Sequence, residues 1–241
     1  MRSQVSDGSQ TAFPRGDFAD AFYTGCMAKA PVCGFALENA ARRRGALRIA
    51  GLDEVGRGPM FGPVVAAAVI LPKGCSLQGQ GLTDSKQLTE KQRNEFDAAI
   101  RDCALAWAIA AVDVETIDRI NIRRASLLAM KLAVEQLAVA PDYMLPDYLL
   151  IDGCDTIDFP CPQQAVVQGD SRSISIAAAS VLAKVHRDQL LVEFDAVYPG
   201  YGLARHKGYC VAEHLEALRR LGPTPLHRKS FSPVAQRLLF E

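Results

Sequence analysis

The stretch from Leu47 to Pro72, LRIAGLDEVGRGPMFGPVVAAAVILP, restricts the possible folds more than any other part of the chain. An apolar run ends in two adjacent acids, Asp53 and Glu54, followed by Gly56-Arg57-Gly58. In a strand Asp53 shares a face with Ile49 and Gly51, and Glu54 shares the other with Ala50 and Leu52, so both acids can serve one site only where the chain bends. Gly56 and Gly58 permit that bend and let a ligand or another backbone come close. Val64 to Leu71 then reads as a second strand, near enough to the first to form an antiparallel hairpin.

The same pattern of apolar strand and terminal acid returns twice. Tyr148 to Ile151 runs into Asp152-Gly153, and Gln164 to Gln168 runs into Gly169-Asp170. Between hairpin and second acid, Thr89 and Gln92 form a capping box, and Phe96, Ala99, Ile100 and Cys103 follow at helical spacing. A helix from about Thr89 to Cys103 is expected, then a buried strand over Ala104 to Val112. Val114 to Ala138 reads as one long amphipathic helix with Leu127, Met130, Val134 and Leu137 on its apolar face, ended by Pro141 and Pro146. After Asp170, Ser171 or Ser173 can cap a helix reaching about Val197, where Pro199-Gly200 stops it. A loop rich in glycine and base, YGLARHKGY, precedes a last amphipathic helix near Ala212 to Leu221. Residues 1 to about 34 show no period and read as a mobile extension, with a short helix over Phe35 to Arg44 whose arginines form a solvated face.

With 241 residues the chain can bury one core or two small ones, and 49% hydrophobic against 22% charged residues excludes a wholly disordered chain. Lys plus Arg equals Asp plus Glu at 27 each, so a nucleic-acid partner is not announced by net charge. Any basic footprint is local. From Lys184 to Lys229 there are eight Lys/Arg against five Asp/Glu, with all four histidines in the same span. Lys184, His206, Lys207 and Arg228 are its candidates. Seven scattered cysteines without zinc-type spacing, no apolar leader, and a longest apolar run (Pro63 to Pro72) too short for a bilayer lead to the expectation of a cytoplasmic protein without a membrane partner.

Taken singly, Asp152 reads as a turn residue and Asp170 as a charge favoured at a helix start. Together with Asp53 and Glu54 they say more. Four carboxylates meeting at strand ends disfavour one another's ionised forms unless a cation holds them. Oxygen-only ligands select a hard ion, Mg²⁺ or Mn²⁺, and a pair of such ions suits phosphodiester cleavage.

At this point the chain resembles a known family, ribonuclease HII. The matching stretches are Gly51 to Pro72, then LTDSKQLT (82 to 89), IDRINIRRASLLAM (117 to 130), LLIDG (149 to 153), QGDSRSISIAAASVLAKVHRD (168 to 188), YPGYGLARHKGY (198 to 209) and HRKSF (227 to 231). The resemblance implies a ribonuclease H-like fold: a mixed five-stranded sheet, its first three strands antiparallel, flanked by helices, with a helical C-terminal part. It divides the chain into an extension over 1–46, largely mobile, and a catalytic domain over 47–241. Asp53, Glu54, Asp152 and Asp170 then match the family's catalytic carboxylates, binding two divalent ions, Mn²⁺ or Mg²⁺. Gly56, Arg57 and Gly58 match the motif that contacts the 2′-hydroxyl and nearby phosphates, and Tyr209 matches the tyrosine that packs on the deoxyribose after a ribonucleotide. By itself Tyr209 reads as a half-buried loop residue. Lys184 is a further substrate-binding candidate, although inside a helix it can equally pair with an acid.

The implied substrates are RNA/DNA hybrids and duplex DNA containing ribonucleotides, acted on by a monomer. Met60-Phe61 departs from the smaller or branched residues usual beside the glycine turn. The extension is too short for the extra domain of ribonuclease HIII. Three alternatives stay open from the residues alone: another nuclease or strand transferase of this fold acting on DNA, a non-catalytic hybrid-binding protein, and acids that merely cap strands.

Overall fold

A computed structural model describes residues 33–137 and 144–238. The expected mobile extension lies almost wholly outside the described residues. Five strands, β1 (Ile49–Val55), β2 (Val64–Ile70), β3 (Ala106–Val112), β4 (Tyr148–Asp152) and β5 (Gln163–Val166), form one mixed sheet in the order β3-β2-β1-β4-β5. The first three are antiparallel neighbours, while β4 runs parallel to β1 and β5 parallel to β4. This is the ribonuclease H-like sheet expected from the sequence. Its register pairs Leu52 with Ile151, so Asp53 and Asp152 follow at the same level of adjacent parallel strands.

Alternation along β1 and β2 divides the core between the two faces of the sheet. Ala50, Leu52, Val64, Ala66, Ala68 and Ile70 bury against α4 (Ile122–Leu137), whose Met130, Val134 and Leu137 are fully covered. Val65, Ala67 and Val69 bury against α2 (Glu90–Cys103) and α5 (Ile174–Val197). The N-terminal half of α5 is apolar all round and buried, and its run of alanines brings the helix axis close to the sheet. Gly51 makes that approach possible: a Cβ there would lie 2.1 Å from the carbonyl carbon of Ser175.

Two sequence expectations need correction. The long helix after β3 is two helices, α3 (Val114–Ile120) and α4, because Asn121 takes φ 67° and its side-chain oxygen accepts the Arg124 N–H at 3.1 Å. An asparagine that caps its own downstream helix ends a hydrophobic period without interrupting it. The helix α7 (Ala212–Leu221) is not the last, since α8 (Ser232–Leu238) follows and packs on it through Met60, Leu218 and Val234. The other boundaries fall near their expected places. Thr89 closes its capping box with Gln92, and Ser173 rather than Ser171 caps α5. A four-residue helix α6 (Leu203–His206) stands in the basic loop between α5 and α7.

The helix α1 (Ala36–Arg43) is more than a solvated leader. Its Glu38 is fully buried, and Oε1 accepts the Ser173 hydroxyl at 2.6 Å and the Ser175 N–H at 3.0 Å. A carboxylate thus sits on the N-terminus of α5, where the helix dipole and unsatisfied N–H groups favour it. No helix among the described residues is long and apolar enough to cross a membrane.

Gly51→Ala is expected to force α5 away from β1 and cost about 3 kcal/mol or more, read as a lower urea midpoint at unchanged slope.

Candidate active site

Asp53 projects from β1 toward α5, is 5% exposed, and its Oδ1 accepts the Glu54 N–H at 2.7 Å. Burial pushes its carboxyl well above the usual carboxylate range, and Glu54, Asp152 and Asp170 push it further. Glu54 follows at the strand end, where its Oε1 receives Arg57 Nη1 at 3.1 Å. Burial raises Glu54 as well, and Arg57 opposes that shift. Asp152 ends β4 and accepts the Gly169 N–H at 2.7 Å. That contact leaves no room for a side chain at residue 169, since a Cβ would come within 2.6 Å of Ile176 and 3.2 Å of Asp152.

Asp170 lies in a single 3₁₀ turn (Gly169–Ser171) ahead of α5, 6% exposed. Burial and the Asp152 and Asp84 charges raise its carboxyl, while Lys86, with Nζ 3.5 Å away, works against them. Burial alone would lower Lys86, but Asp84, Asp170 and Asp53 outweigh it. Thr83-Asp84-Ser85-Lys86 thus joins the site, and Ser85 Oγ meets Ser180 Oγ at 2.8 Å.

The four acids that the sequence singles out therefore share one end of the sheet. Among the described residues no three His, Cys, Asp or Glu side chains are gathered tightly enough to form a ligand group as they stand, which is the spacing that mutual repulsion favours. The donor set is carboxylate oxygen throughout. Its excess negative charge, only partly offset by Arg57 and Lys86, suits a hard divalent cation and not zinc.

The glycine turn adjoins the acids and is held from beneath. Gly56 has φ 95°, and a Cβ on it would strike Arg187 Nε at 2.3 Å. Arg228, fully buried, donates to the carbonyls of Gly56, Arg57 and Gly62 at 2.6, 3.1 and 2.9 Å. Arg187, equally buried, donates to those of Pro63, Lys207 and Phe61. Arg228 thus fixes two peptide planes of the turn itself, those of Gly56 and Arg57, Arg187 braces the backbone beyond it, and the Arg57 side chain remains half exposed. The Tyr209 ring, 44% exposed, lies against Gly58, where a Cβ would sit 3.6 Å from it.

With this arrangement in view, comparison with other proteins is decisive. The sequence profile described as Ribonuclease HII matches residues 50–234. The chain belongs to the ribonuclease HII family. Ribonuclease HII of Geobacter sp. (strain M21) is 54% identical over 210 residues, covering 87% of this chain and 88% of that protein. The crystal structure of ribonuclease H2 from Pyrococcus horikoshii OT3 matches with a TM-score of 0.63 at 23% identity, over 79% of this chain and 97% of that one. That of Bst-RNase HIII in complex with Mn²⁺ matches with a TM-score of 0.67 at 22% identity, over 83% and 72%. At such identities these two share the fold. As a ribonuclease HII family member the chain is an endonuclease that hydrolyses phosphodiester bonds.

The local basic footprint expected of this ribonuclease HII is redistributed. Arg228 is an internal strut, His206 stacks on His214 with ring centroids 4.4 Å apart, and Lys207 Nζ donates to the Ala204 carbonyl at 2.7 Å. Lys184 pairs with Asp188 at 2.7 Å and not with any of the four acids. Sequence reasoning missed Arg187 and Glu38. Each sits in a helix among charged neighbours, where the default reading is a solvated face, and only the packing of α5 buries them. Burial pushes His214 and His227 down to about 4, helped by His206 for the first and by His214 for the second.

The depressed histidines set a pH dependence. An unfolded chain takes up these protons near pH 6.5 and the native one only near 4, so their contribution to stability is complete above 6.5 and declines as pH falls toward 4. Asp53 and Asp170, raised in the fold, act in the opposite sense. The histidine effect is therefore a difference: across pH 6.5 to 4 the protein should lose stability relative to His227→Gln by up to about 1.4 kcal/mol per pH unit, measured by urea unfolding of both at each pH.

Proposed function

We propose that this ribonuclease H is divalent-metal dependent, cuts the RNA strand of RNA/DNA hybrids, and incises duplex DNA on the 5′ side of an embedded ribonucleotide, leaving 3′-hydroxyl and 5′-phosphate ends. The observation that carries the reading is the direct adjacency of a four-carboxylate cluster to a glycine turn whose carbonyls are turned inward onto buried arginines. Peptides anchored by their carbonyls have their N–H groups free for a ligand, and glycine lets a sugar come close enough to use them. The 2′-hydroxyl is the group that separates RNA from DNA at a given sugar.

In this reading Asp53 and Asp152 are the central ligands of the ions, with Glu54 and Asp170 completing the set. When bound, divalent ions lower the pKa of water and neutralise charge on phosphate and leaving oxygens. The chain's own residues supply everything else. The Glu54 N–H holds the Asp53 carboxylate and the Gly169 N–H holds that of Asp152, so the two oxygens keep fixed directions. Gly56 and Gly58 present backbone donors to the 2′-hydroxyl, and the exposed fork of Arg57 meets phosphate oxygens. Tyr209 offers its ring face to the following deoxyribose, beside Gly58, so that an RNA-to-DNA junction is sensed. Lys86, exposed and within 4 Å of both Asp84 and Asp170, limits repulsion among the acids.

Asp53→Asn tests this. It removes a buried charge from among like charges, so the variant should melt at or above the temperature of the parent while losing cleavage of a duplex with one ribonucleotide. Cleavage should be measured on matched duplexes with zero, one or several ribonucleotides, in Mg²⁺ and in Mn²⁺. Parental rates for Asp53→Asn would overturn the ligand assignment. Equal cleavage of the all-DNA duplex would favour a DNA-acting nuclease of the same fold.

A further inference from the structure

The loop that presents Tyr209 is an awkward piece of backbone. Lys207 and Gly208 both take positive φ, 50° and 80°, and a non-glycine residue there is strained. Tyr209 follows immediately, part exposed and with its ring against Gly58. Something must keep such a loop in one conformation.

Hydrogen-bond directions around it can be followed without ambiguity. The Thr224 N–H lies 2.9 Å from His227 Nδ1, so that nitrogen accepts and Nε2 of His227 carries the proton. His227 Nε2 lies 3.2 Å from His214 Nε2, which must then accept, placing the proton of His214 on Nδ1. His214 Nδ1 lies 3.0 Å from the Tyr209 carbonyl and donates to it. The third histidine follows the same logic: His206 Nδ1 accepts the Gly208 N–H at 3.2 Å, and its Nε2 donates to the Tyr201 carbonyl at 2.7 Å. The groups facing the His214–His227 pair are Phe61, Tyr201, Tyr209, His206 and Thr224, and both imidazoles are fully buried and neutral at working pH.

We propose that Thr224, His227 and His214 form a one-way hydrogen-bond relay whose end, the Tyr209 carbonyl, sets the pose of the tyrosine, making His214 and His227 positioning residues for recognition of the RNA-to-DNA junction. The inference rests on the reading of Tyr209 as the residue that packs on the deoxyribose. Phe61 is the anvil of the device. It packs edge-on against His227 at 4.9 Å between ring centroids, and Gly208 lies so close that a Cβ would meet the Phe61 carbonyl oxygen at 3.0 Å. The bulky residue beside the glycine turn thereby couples the part that senses the 2′-hydroxyl to the part that senses the next sugar. A relay of this kind requires both imidazoles neutral and in opposite tautomers.

Two measurements test it. Imidazole ¹⁵N–¹H correlation spectra of the intact protein at pH 7 should show His214 as the Nδ1–H tautomer and His227 as Nε2–H; the reverse assignment overturns the relay. Cleavage selectivity is then taken as the ratio of kcat/KM on a duplex with one ribonucleotide to that on a uniform RNA/DNA hybrid without a junction. His227→Leu should lower this ratio about fivefold, the worth of one lost hydrogen bond, and His227→Gln, whose amide can still donate to His214, should restore most of it. Tyr209→Ala should lower the ratio, and adding His227→Leu to it should change the ratio no further. If His227→Leu lowers both activities equally, the pair is merely structural and the relay's role is overturned while Tyr209 keeps its own. An unchanged ratio in Tyr209→Ala overturns the reading of Tyr209, and the role of the relay with it.

Discussion

The close contact of α5 with β1 is the constraint on which the rest of this structure depends. It exists because Gly51 has no side chain and the first half of α5 is built from alanine, serine and other residues that pack closely. Three residues of α5, spaced by seven, use the contact. Ser173, at the N-cap, donates to Glu38, Ser180 meets Ser85 of the segment beside the acids, and Arg187 donates to the carbonyls beyond the glycine turn. Seven residues are two helical turns, so one face of one helix supports α1, the segment that carries Asp84 to Lys86 and the backbone beyond the glycine turn in succession.

Charge is handled differently at the two halves of the site. Asp53, Glu54 and Asp170 are raised by burial and by neighbouring acids, an arrangement that is unfavourable by itself and gains from a cation. The glycine turn is instead braced by two buried guanidiniums, pushed down to about 10 and about 9 by burial but still charged at neutral pH. Neither arginine has an acid as its hydrogen-bond partner. Backbone carbonyls satisfy both, and because five donors radiate from each planar group, a single side chain fixes several peptide planes at once. A lysine could not do this.

The C-terminal part brings the third element, Tyr209, to the same place. Its loop docks on Met60 and Phe61, through the Met60 N–H to the Gly208 carbonyl at 3.0 Å, and α7 and α8 cover it. The glycine turn and the loop that carries Tyr209 thus meet at one dipeptide. Met60-Phe61, a departure from the usual pattern in the sequence, is a hinge point of the packing and is completely buried.

Much of this was legible from residues alone. Three strands ending in acids, a capping box at Thr89, and the apolar periods of β2 and α5 depend on local spacing, which the chain carries in its sequence. The break at Asn121 was not legible, because a side-chain cap alters backbone direction without altering hydrophobic period. Nor was the burial of Glu38, Arg187 and Arg228: in sequence a charged residue in a helix or loop has water as its default partner, and only the approach of another element removes that water. The sequence by itself determined most of the elements and the family, and it marked the four acids that follow its strands. Tertiary structure decided which charges became struts and which stayed exposed, because desolvation and partner carbonyls are properties of the packed chain and not of any segment.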